Sequence, residues 1–239
     1  MMGFILLAGG AEFSGRMAAA DQLAVQLAGG ADAAIAIVPT AAAPDNNHRR
    51  AGQNGVNWFK DLGAKNVSAL PLIDSTSADD PSISEALALS GLIYLLGGFP
   101  RHLAHSLRES RSWQAILSAY QTGAVIAGSS AGAMVLCEYY YDPDSCRVME
   151  GLNLIRGPCV LPHHDTFGQN WAPRLSQLLP ASVLLGIDEE TGLICDMPAE
   201  TGCLHGKGGI TVYREGLIDR IKPEQEFNLE RLNISGLER

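Results

Sequence analysis

The pentapeptide GSSAG, residues 128–132, sets two serines side by side between glycines, directly after the apolar run GAVIA at 123–127. The pattern G-x-S-x-G is met when centred on Ser130 and is not met when centred on Ser129. It suits a strand that turns sharply into a helix and leaves one hydroxyl at the crest. The crest residue is driven toward positive φ, so the residues two before and two after it must be tiny. Gly128 and Gly132 meet that demand, and Ala131 and Ala133 keep the first helical turn slim. The chemistry such a turn supports is nucleophilic acyl transfer. The serine attacks a carbonyl, and the free backbone N–H of Ala131 points at the oxyanion that develops. Ser130 is therefore the expected nucleophile. Ser129 is expected on the opposite side of the strand end, where its hydroxyl only satisfies a backbone group.

A serine of this kind needs a base. Of the six histidines, His48 falls in a polar stretch and His102 and His105 on a helix expected to face solvent. His205 lies in the C-terminal part of the chain. His163 and His164 end the apolar run CVLP, a predicted strand tip. Adjacent strand residues point to opposite faces, so one of the pair can address the serine. The same geometry makes the pair a poor chelator, and no histidine stands four residues away, so no metal is expected. The base needs a carboxylate to hold its tautomer. Between serine and histidine the candidates are Glu138, Asp142, Asp144 and Glu150, and the residues alone do not choose among them. A phosphate loop is disfavoured because Ser129 stands where the lysine of GxxxxGK would be. AGGAEFSG at 8–15 is not the dinucleotide GxGxxG, so no cofactor is expected.

These residues must be held by a scaffold, and the apolar pattern supplies one. Short runs rich in Ile, Val and Leu recur at 3–8, 33–39, 67–73, 91–98 and 123–128, with helical patterns between them. Continuous apolar strands alternating with helices predict an α/β fold, with a mostly parallel central sheet covered by helices on both faces. Pro39, Gly97 and Gly128 fall where strands end, at the carboxyl edge where open α/β sheets bind ligands. After residue 135 the pattern loosens. CEYYYDPDSC reads as a polar, turn-rich loop, NWAPRLSQLL as a helix, and the tail turns to β with a hairpin around REG at 214–216. No repeat or low-complexity linker appears, and residues 1–239 read as a single α/β hydrolytic domain.

The chain has 239 residues, 46% of them hydrophobic and 18% charged, enough to build a sizeable core and too apolar for disorder. A net charge of −9 without a basic cluster argues against nucleic acid or an anionic membrane as partner. The five cysteines include no CxxC and read as reduced buried thiols. The apolar N-terminal run lacks a basic segment before it and reads as a first strand. No run approaches the length of a membrane span, and the expected location is the cytoplasm.

With GLIYLLGG, GSSAGAMV, EGLNLI, LPHHD and GIDEETGL in view, the chain resembles the cyanophycinase and α-aspartyl dipeptidase (dipeptidase E) family of serine peptidases. The likeness runs in order from GFILLAGG through GGITVY. It implies a class I glutamine amidotransferase-like, flavodoxin-like fold and hydrolysis of a small peptide or amide. It implies that His163 is the base, with His164 in the aromatic position that follows it. The family's acid lies between serine and histidine, which points to Asp142 or Asp144, with Glu150 in reserve. The second oxyanion N–H maps to the Gly97–Gly98 pair, with Gly98 as donor. Glu189 and Glu190 are expected to be structural at a turn.

Two features depart from the family. Phe99–Pro100 replaces the polar residues that follow the paired glycines. Of the arginines that hold an aspartate carboxylate after the histidine, only Arg174 remains. The pocket is thus expected to be more apolar, with Phe99, Arg101, His164 and Arg174 as substrate contacts, and neither cyanophycin nor an Asp-X dipeptide as substrate. An esterase or acyltransferase on the same site, or a degenerate ligand-binding domain, stands as the alternative. Family members differ in assembly, so a homodimer stays open.

Overall fold

The computed structural model describes residues 2–223 and 226–236. Its first half alternates as expected: β1 (Phe4–Ala8), α1 (Met17–Leu27), β2 (Ala34–Val38), α2 (His48–Asp61), β3 (Asn66–Ala69), α3 (Ser75–Ala78), α4 (Pro81–Ala88), β4 (Leu92–Leu95), α5 (Pro100–Leu107), α6 (Arg111–Gln121), β5 (Val125–Ser129) and α7 (Ala131–Leu136). The second half is mostly strand: β6 (Tyr139–Asp142), β7 (Arg147–Glu150), β8 (Pro158–Leu161), α8 (Ala172–Leu178), β9 (Val183–Ile187), β10 (Thr191–Asp196), β11 (Thr201–Gly206), β12 (Ile210–Arg214), β13 (Leu217–Ile221) and β14 (Glu226–Asn228).

Eight strands form the central sheet in the order β14-β11-β10-β1-β5-β4-β2-β3. From β1 to β3 all neighbours are parallel. On the other side β10, β11 and β14 add on antiparallel. Strand alternation divides the core. In β1, Leu6 and Ala8 pack with Met17, Ala20 and Phe59 under α1 and α2. Ile5 and Leu7 face the other layer, with Leu103, Ile116 and Val135 of α5, α6 and α7. All of these are essentially inaccessible, and each large side chain taken from water stabilises the fold by about 1.5–3 kcal/mol. Helix starts are marked locally. Ser110 accepts the Trp113 N–H at 3.1 Å to begin α6. Asp80 accepts the Ser82 N–H at 2.8 Å, with Pro81 in the first turn of α4. Ser110→Ala would cost about 1 kcal/mol. Asp21, buried on α1, accepts the Trp58 indole N–H at 2.8 Å and ties α2 to α1. Burial pushes its carboxyl up to about 7 against the pull of that bond, and the neighbouring Glu12 charge adds to the rise.

Two features depart from the sequence expectation. A second sheet, β13-β12-β9-β8, stands beside the first, and it carries the strand tip with the two histidines. The stretch read as a polar loop is the hairpin β6–β7. Its tyrosines are core: Tyr140 and Tyr141 are 2% and 6% exposed, and Tyr141 packs on Trp171 at 5.2 Å between ring centroids. Three tyrosines in a row hid the period of two. The hairpin expected at REG is present as β12–β13, and Glu215 and Gly216 both take positive φ, as a tight two-residue turn requires. Among the described residues no helix is long and apolar enough to cross a membrane.

Candidate active site

Ser130 sits between β5 and α7 with φ 49° and ψ −112°. That is a costly backbone for a residue with a side chain, on the order of 1–3 kcal/mol, and it persists only where the surroundings force it. The forcing is visible. A Cβ at position 128 would lie 2.5 Å from the Gly132 carbonyl, and one at position 132 would lie 2.2 Å from the Leu95 carbonyl oxygen. Both glycines are thus required for the turn to close against β4. The Ser130 N–H is anchored by the Ala8 carbonyl at 3.0 Å, which leaves the hydroxyl free to project from the sheet edge.

The Ser130 Oγ lies 3.0 Å from His163 Nε2, and His163 Nδ1 lies 2.7 Å from Glu189 Oε1. His163 follows the end of β8 with φ 50°, and its N–H donates to the Gly9 carbonyl at 2.7 Å. Its ring stacks on Phe167 at 4.8 Å. Its other face is against Gly10, where a Cβ would stand 2.3 Å from the ring. Glu189 is itself placed: its N–H donates to Asp165 at 2.8 Å, and the Thr166 hydroxyl reaches its carboxylate at 3.5 Å. The histidine and its carboxylate are partly open, 20% and 34% exposed in their side chains.

The carboxylate on His163 is thus Glu189, and Asp142, Asp144 and Glu150 stand elsewhere. Asp142 is buried and accepts both the N–H and the hydroxyl of Ser145 inside its own hairpin turn. Asp144 and Glu150 are exposed, and Glu150 pairs with Arg108 at 3.5 Å. This carboxylate lies after the histidine in the chain because β8 and β9 are parallel neighbours, with Leu161 opposite Gly186. Two residues beyond the strand ends, His163 comes beside Glu189. The signal was the pairing of HHD with DEE at the ends of two apolar runs, but their register is a tertiary fact.

Ser129 also differs from expectation. Its hydroxyl donates to the Glu12 carboxylate at 2.9 Å and satisfies no backbone group. Glu190 serves the turn: its carboxylate accepts the Arg16 N–H at 2.9 Å and Lys207 at 3.3 Å, and these bonds hold the carboxyl below its ordinary range. His164 faces away from the serine. It is buried, with Nε2 at 2.8 Å from the Tyr213 hydroxyl and Nδ1 at 3.6 Å from Asp188. Arg174 donates to the Cys146 carbonyl at 2.9 Å and so ties α8 to the β6–β7 turn.

Gly98 takes φ 134°, and a Cβ there would meet the Ala41 carbonyl oxygen at 2.3 Å. The N–H groups of Gly98 and Ala131 have no acceptor among the described residues. Phe99, at the start of α5, lines a cavity of about 870 Å³ together with Arg101, His102, His105, Tyr140 and Asp144. Among the described residues no group of three His, Cys, Asp or Glu side chains is placed to hold a metal ion.

The fold and chain order have relatives. A peptidase from an acI-B1 Actinobacterium superposes with a TM-score of 0.85 at 26% identity, covering 95% of this chain and 97% of that one. A Listeria monocytogenes EGD-e protein assigned to peptidase E shares the fold at a TM-score of 0.62 and 18% identity, over 90% of this chain and 99% of that one. The cyanophycinase of Geminocystis herdmanii is 27% identical over 219 residues, 87% of this chain and 79% of the relative. That of Synechococcus elongatus is 28% identical over 231 residues, 88% and 67% of the two chains. The family model for peptidase family S51 matches residues 4–197, a span that runs from the first strand past the serine, the histidine and the glutamate. By that match this chain belongs to peptidase family S51, and it is a serine hydrolase.

Proposed function

We propose that the chain hydrolyses an amide bond of a small peptide through an acyl-enzyme on Ser130. The observation that carries this reading is the continuous line Ser130 Oγ, His163 Nε2, His163 Nδ1, Glu189 Oε1, with steps of 3.0 Å and 2.7 Å. Glu189 accepts the Nδ1–H, which leaves Nε2 with its lone pair toward the serine. His163 takes the hydroxyl proton as Oγ attacks the carbonyl. The N–H groups of Ala131 and Gly98 receive the oxyanion. Nε2–H then protonates the leaving amine, and water, activated by the same nitrogen, releases the acid. Each oxyanion donor is worth about 3–4 kcal/mol in the transition state.

The cavity of about 870 Å³ that Phe99 lines, next to the Gly97–Gly98 loop in the chain, is of a size for a short peptide. Its wall mixes cations with Asp144 and Glu150, so it favours no single charge. Arg174 is engaged by a backbone carbonyl, which supports a small peptide or amide over cyanophycin, the polymer named for the curated relatives. The test is a fluorophosphonate probe followed by a panel of short peptides and p-nitrophenyl esters. Labelling lost in Ser130→Ala, together with peptide turnover, is the expected result. Turnover of esters alone would move the reading to an esterase, and an unlabelled serine would end it.

A further inference from the structure

The loop between β1 and α1 supplies none of the three side chains in the proposed catalytic line, yet it touches both halves of the proposed catalytic apparatus. Gly9 and Gly10 hold His163, as described. Two residues on, the Glu12 carboxylate spans the gap between β4 and β5. Its Oε1 accepts the Gly97 N–H at 3.2 Å, and its Oε2 accepts the Ser129 hydroxyl at 2.9 Å. A Cβ on Gly97 would stand 3.0 Å from Glu12 Oε1 and 3.2 Å from the Ser130 Cβ, so the glycine loop packs against both the carboxylate and the proposed nucleophile.

We propose that Glu12 is a positioning residue that sets the oxyanion loop against the nucleophile turn. The inference rests on the hydrolytic reading of Ser130. The three successive N–H groups of the loop show how the device operates. Gly97 N–H is held by Glu12, and Phe99 N–H is held by the Ala41 carbonyl at 2.8 Å. Gly98 N–H, between them, has no acceptor among the described residues. Pinning the outer two orients the middle one, which a Gly-Gly segment could not do by its own conformational preference. The bond to Ser129 ties the same carboxylate to the residue before Ser130, and so fixes the Gly98 donor relative to the Ala131 donor. Glu12 can bear that tension because its own loop is anchored. Phe13, at φ 62°, wedges between Phe59 and Tyr94 at centroid distances of 6.2 and 5.5 Å. On the other side the Glu190 N–H donates to the Gly10 carbonyl at 3.1 Å. A negative charge so near an oxyanion opposes it, so the carboxylate acts through its acceptor geometry and not through its charge.

That distinction sets the test. Glu12→Gln retains an amide oxygen for the Gly97 N–H, and its NH2 can donate to Ser129. Glu12→Ala retains neither. Turnover of the best peptide or ester substrate, affinity for a matching boronic acid (a tetrahedral adduct on Ser130) and thermal stability are measured for wild type and both variants. The expected result is a kcat about 10–100-fold lower in Glu12→Ala with KM within twofold, since a misplaced donor loses transition-state binding only. Boronate affinity falls by the same factor, and Glu12→Gln stays within about threefold of wild type. If Glu12→Ala does not fold, Ser129→Ala, which cuts one of the two tethers, shows a several-fold fall in kcat with the same boronate parallel. Equal losses in Gln and Ala, an unchanged kcat in Ala, or a kcat loss without loss of boronate affinity would each overturn the proposal. A wild type that neither labels with fluorophosphonate nor turns over any substrate overturns the hydrolytic reading, and this one with it. A reactive wild type with an indifferent Glu12 overturns this one alone.

Discussion

His163 and His164 are neighbours in the chain, and each meets a carboxylate just beyond the next strand, yet the two pairs do different things. His163 and Glu189 lie 2.7 Å apart at a partly open edge, and the free ring nitrogen meets a serine hydroxyl. His164 and Asp188 lie on the opposite face, 8% and 3% exposed in their side chains, with the free ring nitrogen on a tyrosine. Asp188 also accepts the Gly209 N–H at 2.8 Å and is paired with Arg220. Burial alone would raise its carboxyl, but the bonds from His164, Gly209 and Arg220 outweigh that and hold it below the ordinary range. The same residue types thus make the pair proposed as catalytic where one partner is a strained, partly open hydroxyl. They make a structural pair where histidine and carboxylate are both buried and the carboxylate is matched by a cation. What separates them is the face of the strand on which each falls.

The comparison can be broken most severely at the nucleophile. Ser130→Ala should lower turnover by at least about 10⁴-fold and leave the unfolding midpoint unchanged or slightly raised, because the strained φ costs Ala no more than Ser. Retained turnover would remove the distinction between the two pairs. Glu189→Gln should follow, with a loss in kcat of about 10³–10⁴-fold and nearly native stability, since the amide can no longer hold the Nδ1–H tautomer. Asp142→Asn, measured beside it, should stay within a few-fold of wild type. A reversal of those two results would return the acid to the β6–β7 turn.

On the structural side, His164→Ala should destabilise by about 3 kcal/mol in urea unfolding, through a cavity and the orphaned Tyr213 hydroxyl. Its kcat should move only a few-fold. The smallest effect sought is a pH signature. A carboxyl held low in the folded state contributes stability above its unfolded pKa, and that stability is lost as pH falls through the folded value. The stability gap between wild type and Asp188→Asn should therefore close on acidification below about pH 4, the ordinary aspartate range. Asp21, raised to about 7 with no cation beside it, has the opposite sign. It favours the folded state less as pH rises from about 4 toward 7, so Asp21→Asn should remove a loss of stability over that window. Parallel pH curves for wild type and both variants would contradict the assignment.

The site was partly legible because its rarest feature is local. A crest serine between glycines needs only five residues to be recognised, and GSSAG after an apolar run supplies them. The histidine was legible for a related reason, as a polar tip on an apolar strand. Glu189 was not, since chain order points to an acid between serine and histidine while the true neighbour lies across a parallel ladder. Glu12 was hidden more deeply. It sits 117 positions from the Ser129 hydroxyl it accepts, in a loop whose glycines match no nucleotide motif and instead let a ring and a carboxylate approach the backbone.

Sequence by itself determined the alternation of strand and helix, the parallel character of the sheet core, the hairpin at 214–216, and the residue that stands at the sharp turn. These follow from periodicity and from the steric limits of glycine and its neighbours, which act over a few residues. Only the tertiary structure decided which carboxylate meets the histidine, that a second sheet carries that histidine, and which N–H groups are left free to face an oxyanion. Those depend on register between strands far apart in the chain, and a slip of one residue would exchange His163 for His164 and turn the partly open pair into the buried one.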